Sequence, residues 1–162
     1  MTIDSAVQRK IMGQFATGVT VVSTQLKNGE TWGMTANAVT SLSLDPPLVL
    51  LAVVRDSQSH RQFSEENCFA LNILAADQQQ LSDRFAYAGP KDFSGLEVTS
   101  ATTGAPILKG VLGWVDCRIK EILPGGDHDI FIGEIVAGES GEGEPLLFFG
   151  GKYASINLNP SE

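Results

Sequence analysis

Two short stretches hold most of the side chains able to do chemistry. In VVRDSQSHRQF (residues 53–63), Arg55, Ser57, Ser59, His60 and Arg61 gather where an apolar run gives way to a helical pattern. A helix start offers unpaired N–H groups and partial positive charge, serines add hydroxyl donors and arginines add charge, which is the chemistry of phosphate binding. The same residues also describe a capped surface helix. PGGDHD (124–129) puts His128 in a glycine-rich hairpin, where it either meets a ligand at a rim or is simply solvated. A third stretch, WGMTANAVTSLSLDPP (32–47), is built of small residues and hydroxyls before the apolar run LVLLAVV. Small side chains let backbone approach something flat, and Asn37 and Ser41 could bond the polar edge of a heterocycle. An edge strand with a Ser/Thr face reads the same way.

Other chemistries lack their residues. His60 and His128 are the only histidines, and neither has metal-ligand spacing to another His, Cys or acid, so no metal site is expected. No G-x-S-x-G elbow is present, and Cys68 and Cys117 show no CxxC spacing, which makes them buried hydrophobes rather than a redox pair. A net charge of −8 with scattered basic residues argues against nucleic acid as a partner. No segment approaches the ~20 apolar residues of a membrane span, so no membrane association is expected. The polar opening MTIDSAVQRK does not read as a secretory signal, which makes cytoplasm the expected location. If the chain is an enzyme, an organic cofactor carries the difficult step.

The elements that must position these residues are mostly strands. Ser5 to Phe15 reads as a helix with Val7, Ile11 and Phe15 on one stripe and Asp4 or Ser5 as cap. GVTVVST (18–24) is a strand, Asn28-Gly29 a tight turn, and Thr31 to Ala38 the return. Leu48 to Val54 is a strand expected to be buried on both faces, and FALNIL (69–74) another. A helix starts near Ser57 or Ser59; a second starts at Asp77, where Asp77 and Gln80 suggest a capping box, and carries Leu81 and Phe85. WVDCRIKEIL (114–123) alternates apolar and polar, PGGD turns, DIFIGEIVAG (129–138) returns, and LLFFGGKYASI forms a last strand. Consecutive strands joined by hairpins predict an antiparallel barrel in one domain, residues 1–162, and no G-x-G-x-x-G marks a dinucleotide fold.

Taken in order, FATGVTVVST, GMTANAVTSLSLDPPLVLLAV, the Arg-x-x-x-Ser-His stretch, CFALNIL, GAPILKG and GGDHDIFIGEI resemble the short-chain flavin reductases. The resemblance runs from about Arg9 to Tyr153, within a core of about 9–156. It implies a mainly β fold: an FMN-binding split β-barrel, antiparallel and Greek-key-like, with a few short helices and a homodimeric assembly. By position, Thr35, Ala36, Asn37, Ala38 and Ser41 line the isoalloxazine of FMN or FAD. Ala52, Val53, Val54 and Arg55 pass beside it, and Ser57, Ser59 and His60 hold the phosphate. Phe85 and Lys91 approach the ribityl-phosphate or adenylate, and His128 faces the nicotinamide with Tyr153 nearby.

The implied activity is an NAD(P)H:flavin oxidoreductase, with NADH or NADPH as hydride donor, that supplies diffusible reduced flavin to a partner monooxygenase. Hydride transfer between stacked rings asks the protein for alignment and for donors at the flavin's N1–O2 edge, here the backbone of the TANA stretch. His128 then orients the carboxamide rather than moving a proton. A non-catalytic FMN-binding electron carrier on the same fold is the alternative reading, and His128 is the feature such a carrier does not need. An oxidase of pyridoxamine phosphate shares a related barrel, but the opening motif follows the reductase pattern.

Overall fold

The computed structural model describes residues 2–89 and 91–156. The order along the chain is α1 (Ser5–Met12), β1 (Thr17–Gly18), β2 (Thr20–Gln25), β3 (Thr31–Ala36), β4 (Val39–Leu44) and β5 (Pro47–Val54). Then come α2 (Gln58–Glu66), β6 (Cys68–Ile73), α3 (Gln79–Ala86), β7 (Val98–Ser100) and β8 (Pro106–Leu108). A long hairpin of β9 (Gly113–Gly125) and β10 (His128–Ser140) follows, and β11 (Leu147–Phe149) and β12 (Lys152–Ala154) close the chain.

Seven antiparallel strands form one sheet in the order β3-β2-β6-β9-β10-β5-β4. Its two edges, β3 and β4, are consecutive in the chain and separated only by Asn37 and Ala38. Such a link holds Ala36 and Val39 within about 11 Å of each other. The sheet must therefore curl until its edges meet at one corner, which makes a barrel split along one seam. Ala52 N–H donates to Ala38 O at 3.0 Å and fastens that corner. The mainly β split-barrel architecture expected from the sequence is the one observed.

The barrel interior is filled by Val22, Leu51, Val53, Phe63, Phe69, Leu71 and Phe131. Phe63 comes from α2, which plugs one end of the barrel. A second cluster, with Val19, Val21, Leu74, Phe85, Leu108 and Leu146, lies on the outer face of β2 and β6 under α3 and the small β1-β11-β12 sheet. All of β2 from Thr20 to Thr24 is consequently buried. Asn72 ties the β7–β8 segment to this sheet: its Nδ2 donates to Val21 O at 3.0 Å, and Leu108 N–H donates to its Oδ1 at 2.8 Å.

Several elements differ from expectation. α1 stops at Met12, and Val7, Ile11 and Phe15 are exposed, because none of the described residues covers their stripe. Its cap is Asp4, which accepts from Ala6 N and Val7 N. The Asp77–Gln80 capping box does not form; α3 starts at Gln79, and Gln78 instead accepts from Ala75 N at 2.9 Å and donates to Gly110 O at 3.0 Å. β5 is not buried on both faces: Val49, Leu51 and Val53 point into the barrel while Leu50, Ala52 and Val54 are partly open. The final segment is a hairpin rather than one strand, because Gly150 and Gly151, with φ of 59° and 79°, supply a turn.

Gly133 marks the tightest packing in the sheet. A Cβ there would sit 2.6 Å from Phe69 Cζ and 3.1 Å from Cys117 Cβ, and both neighbours are fully buried. The Phe69 ring fills the space a side chain would take. Gly133→Ala is expected to lower stability by about 1–3 kcal/mol through overpacking. Urea unfolding monitored by circular dichroism checks this; a midpoint equal to wild type would mean that Phe69 can move aside.

Candidate active site

A cleft of about 590 Å³ opens where β3 and β5 converge on the split corner, within the size range of small-molecule sites. Residue alternation decides what faces it. In the β5–β10 ladder His128 pairs with Val54 and Ile130 with Ala52, whereas Asp129 pairs with Val53 and Phe131 with Leu51. Opposed residues share a face, and neighbours along a strand take opposite ones. Leu51, Val53 and Phe131 belong to the barrel interior, so Ala52, Val54 and His128 present their side chains outside it, where they line the cleft.

Trp32, Met34, Thr35 and Ala36 of β3, with Asn37 and Ala38, form the facing wall. Ala36, Ala38 and Ala52 are Cβ-only side chains that leave the backbone of both walls accessible to a flat ring. Two polar residues of this wall also bond to the scaffold. Thr35 Oγ1 donates to Ser82 O at 2.6 Å and locks α3 to β3, and Asn37 Nδ2 donates to Thr17 Oγ1 at 3.2 Å. Gly33 allows the same docking, since a Cβ there would lie 3.0 Å from both Phe85 and Phe93.

The cleft ends at the start of α2. Ser57 caps this helix, its Oγ accepting from His60 N at 3.1 Å, and Ser59 Oγ accepts from Trp32 Nε1 at 3.0 Å. Each serine keeps its hydroxyl hydrogen for an acceptor, and Asp56 and Gln58 complete this end. Opposite lie Phe85 to Gly89 and Lys91. The Lys91 ammonium donates to Tyr87 O and, at 3.2 Å, to Phe85 O, and it sits 4.6 Å from the Tyr87 ring centre. Burial lowers its pKa from the ordinary value. Phe85 is itself 1% exposed, so it supports this wall from the core more than it contacts a ligand.

His128 is the first residue of β10, not a hairpin-tip residue; only Gly126 and Asp127 turn the chain, so the imidazole is held by strand pairing. Its Nδ1 lies 2.7 Å from Asp127 Oδ1, to which it donates, leaving Nε2 for the cleft. This contact holds the Asp127 carboxyl below its usual pKa.

Four residues expected at the site lie outside this cleft in the single chain. Ser41 is exposed on edge strand β4. Arg55 and His60 both turn to Asp129: Arg55 Nη2 donates to Oδ1 at 2.7 Å and His60 Nε2 to Oδ2 at 2.7 Å. Tyr153 shares a small neighbouring cavity with Ser82, and its hydroxyl donates to Asp83 Oδ1 at 2.8 Å. Trp32, Met34, Asp56, Gln58 and Ala86 to Gly89 line the cleft without having been singled out from the sequence. Gly33 inside an apolar strand was the available signal for β3, because an interior strand glycine marks close approach. Among the described residues, no group of three or more His, Cys, Asp or Glu could hold a metal, and no helix is long and apolar enough to cross a membrane.

Comparison with known proteins gives this geometry a class. The profile of the flavin reductase-like domain matches residues 12–157. The FMN reductase (NADH) SmoA of Agrobacterium fabrum is 41% identical over 149 residues, covering 92% of this chain and 84% of that protein. The reductase subunit HsaB of a flavin-dependent monooxygenase from Rhodococcus jostii is 37% identical over 155 residues, covering 95% and 79%. The solved NADH:FAD oxidoreductase SgcE6 of Streptomyces globisporus, in complex with NAD and FAD fragments, superposes with a TM-score of 0.91 at 34% identity, covering 99% of each chain. The chain belongs to the flavin reductase-like family.

Proposed function

We propose that the protein is an NAD(P)H:flavin oxidoreductase that reduces FMN or FAD and passes reduced flavin to a separate monooxygenase. The observation that carries this reading is the cleft itself. Alanine-walled strands for a flat ring, a capped helix start with two serine hydroxyls, and one strand-held histidine all border the same space. Family membership and relatives named as reductase components support the partner. Flavin bound in the cleft supplies the hydride-accepting chemistry, with NADH or NADPH as donor.

The chain's own residues then have distinct tasks. The Ala36–Ala38 and Ala52–Val54 backbones hold the ring. Ser57, Ser59 and the α2 start bind the phosphate by hydrogen bonds and partial charge. Lys91 keeps the Phe85–Gly89 wall in place and adds positive charge at that end. His128, with Nδ1 fixed by Asp127, orients the nicotinamide through Nε2 and moves no proton.

The reading includes a homodimer. Leu42 and Leu44 are 47% and 90% exposed on edge strand β4, which runs from the split corner beside the open cleft. A second copy covering this strand would also reach Ser41. Light scattering at micromolar concentration should give twice the 17.3 kDa chain mass; a monomer would remove the dimer from the proposal.

The catalytic test is NADH oxidation that requires added flavin, measured on three proteins. Ser57→Asp preserves the helix cap, because Asp is as good an N-cap as Ser, yet sets an anion against the phosphate. FMN binding should weaken by about tenfold or more, the scale of one charge-assisted bond, while riboflavin binding changes little. Equal losses would put the phosphate elsewhere. His128→Ala should keep flavin affinity and slow flavin reduction by about 10- to 100-fold, or 1.4–2.7 kcal/mol. Unchanged stopped-flow rates would remove His128 from the mechanism, and no flavin-dependent oxidation in wild type would favour the electron carrier.

A further inference from the structure

Asp129 gathers three parts of the fold at one carboxylate. Arg55 follows the last residue of β5, His60 lies in the first turn of α2, and Asp129 is the second residue of β10. Arg55 donates through Nε at 3.1 Å and Nη2 at 2.7 Å to Oδ1, and His60 Nε2 donates at 2.7 Å to Oδ2. Both oxygens are thus engaged, and the side chain is only 14% exposed. The imidazole of His60 is itself held edge-on against the buried Phe131 ring at 5.1 Å. Arg55 N–H additionally donates to Asp127 O at 3.0 Å, within the turn that precedes His128. Arg55 first, then His60, keeps the Asp129 carboxyl below its ordinary pKa, so it stays charged at neutral pH.

The direction of these contacts matters. His128 faces the cleft on the outer side of the sheet, and Asp129, one residue on, faces the barrel end closed by α2. We infer that Asp129 is a positioning residue: from behind the sheet it clamps the start of β10 to α2 and the β5 exit, and so fixes His128 relative to the helix start across the cleft. The inference rests on the proposed role of His128 in orienting nicotinamide. It assigns Arg55 and His60 to the clamp rather than to flavin phosphate. Ladders to β5 and β9 set the register of the β10 start, and the clamp adds the side-chain link from that start to α2.

The test is a mutant cycle on the flavin-loaded protein. Asp129→Asn keeps the shape and removes the negative charge that Arg55 pairs with and the carboxylate oxygen that accepts from His60 Nε2. It should leave the flavin dissociation constant within about twofold and slow stopped-flow flavin reduction by about tenfold, with a matching rise in the NADH concentration for half-maximal rate, a coupling usual for residues in one network. In a His128→Ala background the same substitution should change the rate by less than about twofold, because the side chain it positions is gone. A general structural role would instead lower flavin affinity and persist in that background. His60→Gln, which removes one arm and leaves the Arg55 pair, should show the same pattern at smaller size and serves if Asp129→Asn does not fold. Wild-type rates in Asp129→Asn and His60→Gln, or equal losses with and without His128, overturn the assignment. Wild-type rates in His128→Ala alone overturn the nicotinamide reading as well, so the two failures are told apart.

Discussion

Two residues of chain, Asn37 and Ala38, bind the opposite edges of a seven-stranded sheet to each other. Much of the molecule follows from that constraint. A sheet whose edges must meet at one end but share no ladder among the described residues has to curl, and it leaves a seam where β3 and β4 diverge. Curling creates an interior that large side chains fill, with Phe69 and Phe131 from the sheet and Phe63 from α2. The seam creates a concave outer surface that none of the described residues fills. The cleft lies at that corner because small residues there keep the two walls apart: alanines where other strand positions carry Val, Leu or Phe.

Most strands of the large sheet were readable because they are rich in β-branched residues or alternate, whereas the three-residue strands β7 and β8 are too short to show a pattern; Asn28-Gly29 reads as a hairpin turn by itself, Gly29 adopting a φ of 87°. The errors have physical sources. The run LVLLAVV is apolar throughout, which describes a doubly covered strand, yet one of its faces is partly open and serves the cleft. An apolar outer face looks the same in sequence whether its cover is the same chain, a ligand or a second copy. The α1 stripe misled for the same reason: amphipathic spacing identifies a helix but not what its apolar side meets. Gln78 defeated the capping box because a side chain with two polar ends found backbone partners in two different segments.

At the site, family resemblance located the neighbourhood and strand geometry sorted its members. Arg55 and His60 carry donors suited to phosphate, and in sequence they sit beside the helix start that would bind it. Their partner, Asp129, is 74 and 69 positions away and meets them only when β10 pairs with β5. A long-range ion pair of this kind cannot be read from local composition. Conversely, Trp32 is 5% exposed, yet its indole N–H donates to Ser59 and it borders the cleft.

The charge balance bears on how the proposed reaction would turn over. The chain carries −8 at neutral pH, while flavin phosphates and nicotinamide dinucleotides are anions, so the molecule as a whole repels its ligands. At physiological ionic strength that repulsion is screened beyond about 8 Å, and the groups at the cleft decide binding. Those groups are modest: a helix start, two hydroxyls and one lysine, while Arg55 is neutralised by Asp129. A site that must retain a flavin permanently would gain from leaving Arg55 free to pair with phosphate. Here its charge is directed to holding the β10 start in place. This distribution favours positioning over retention, which suits an enzyme that releases its reduced flavin for another protein to use.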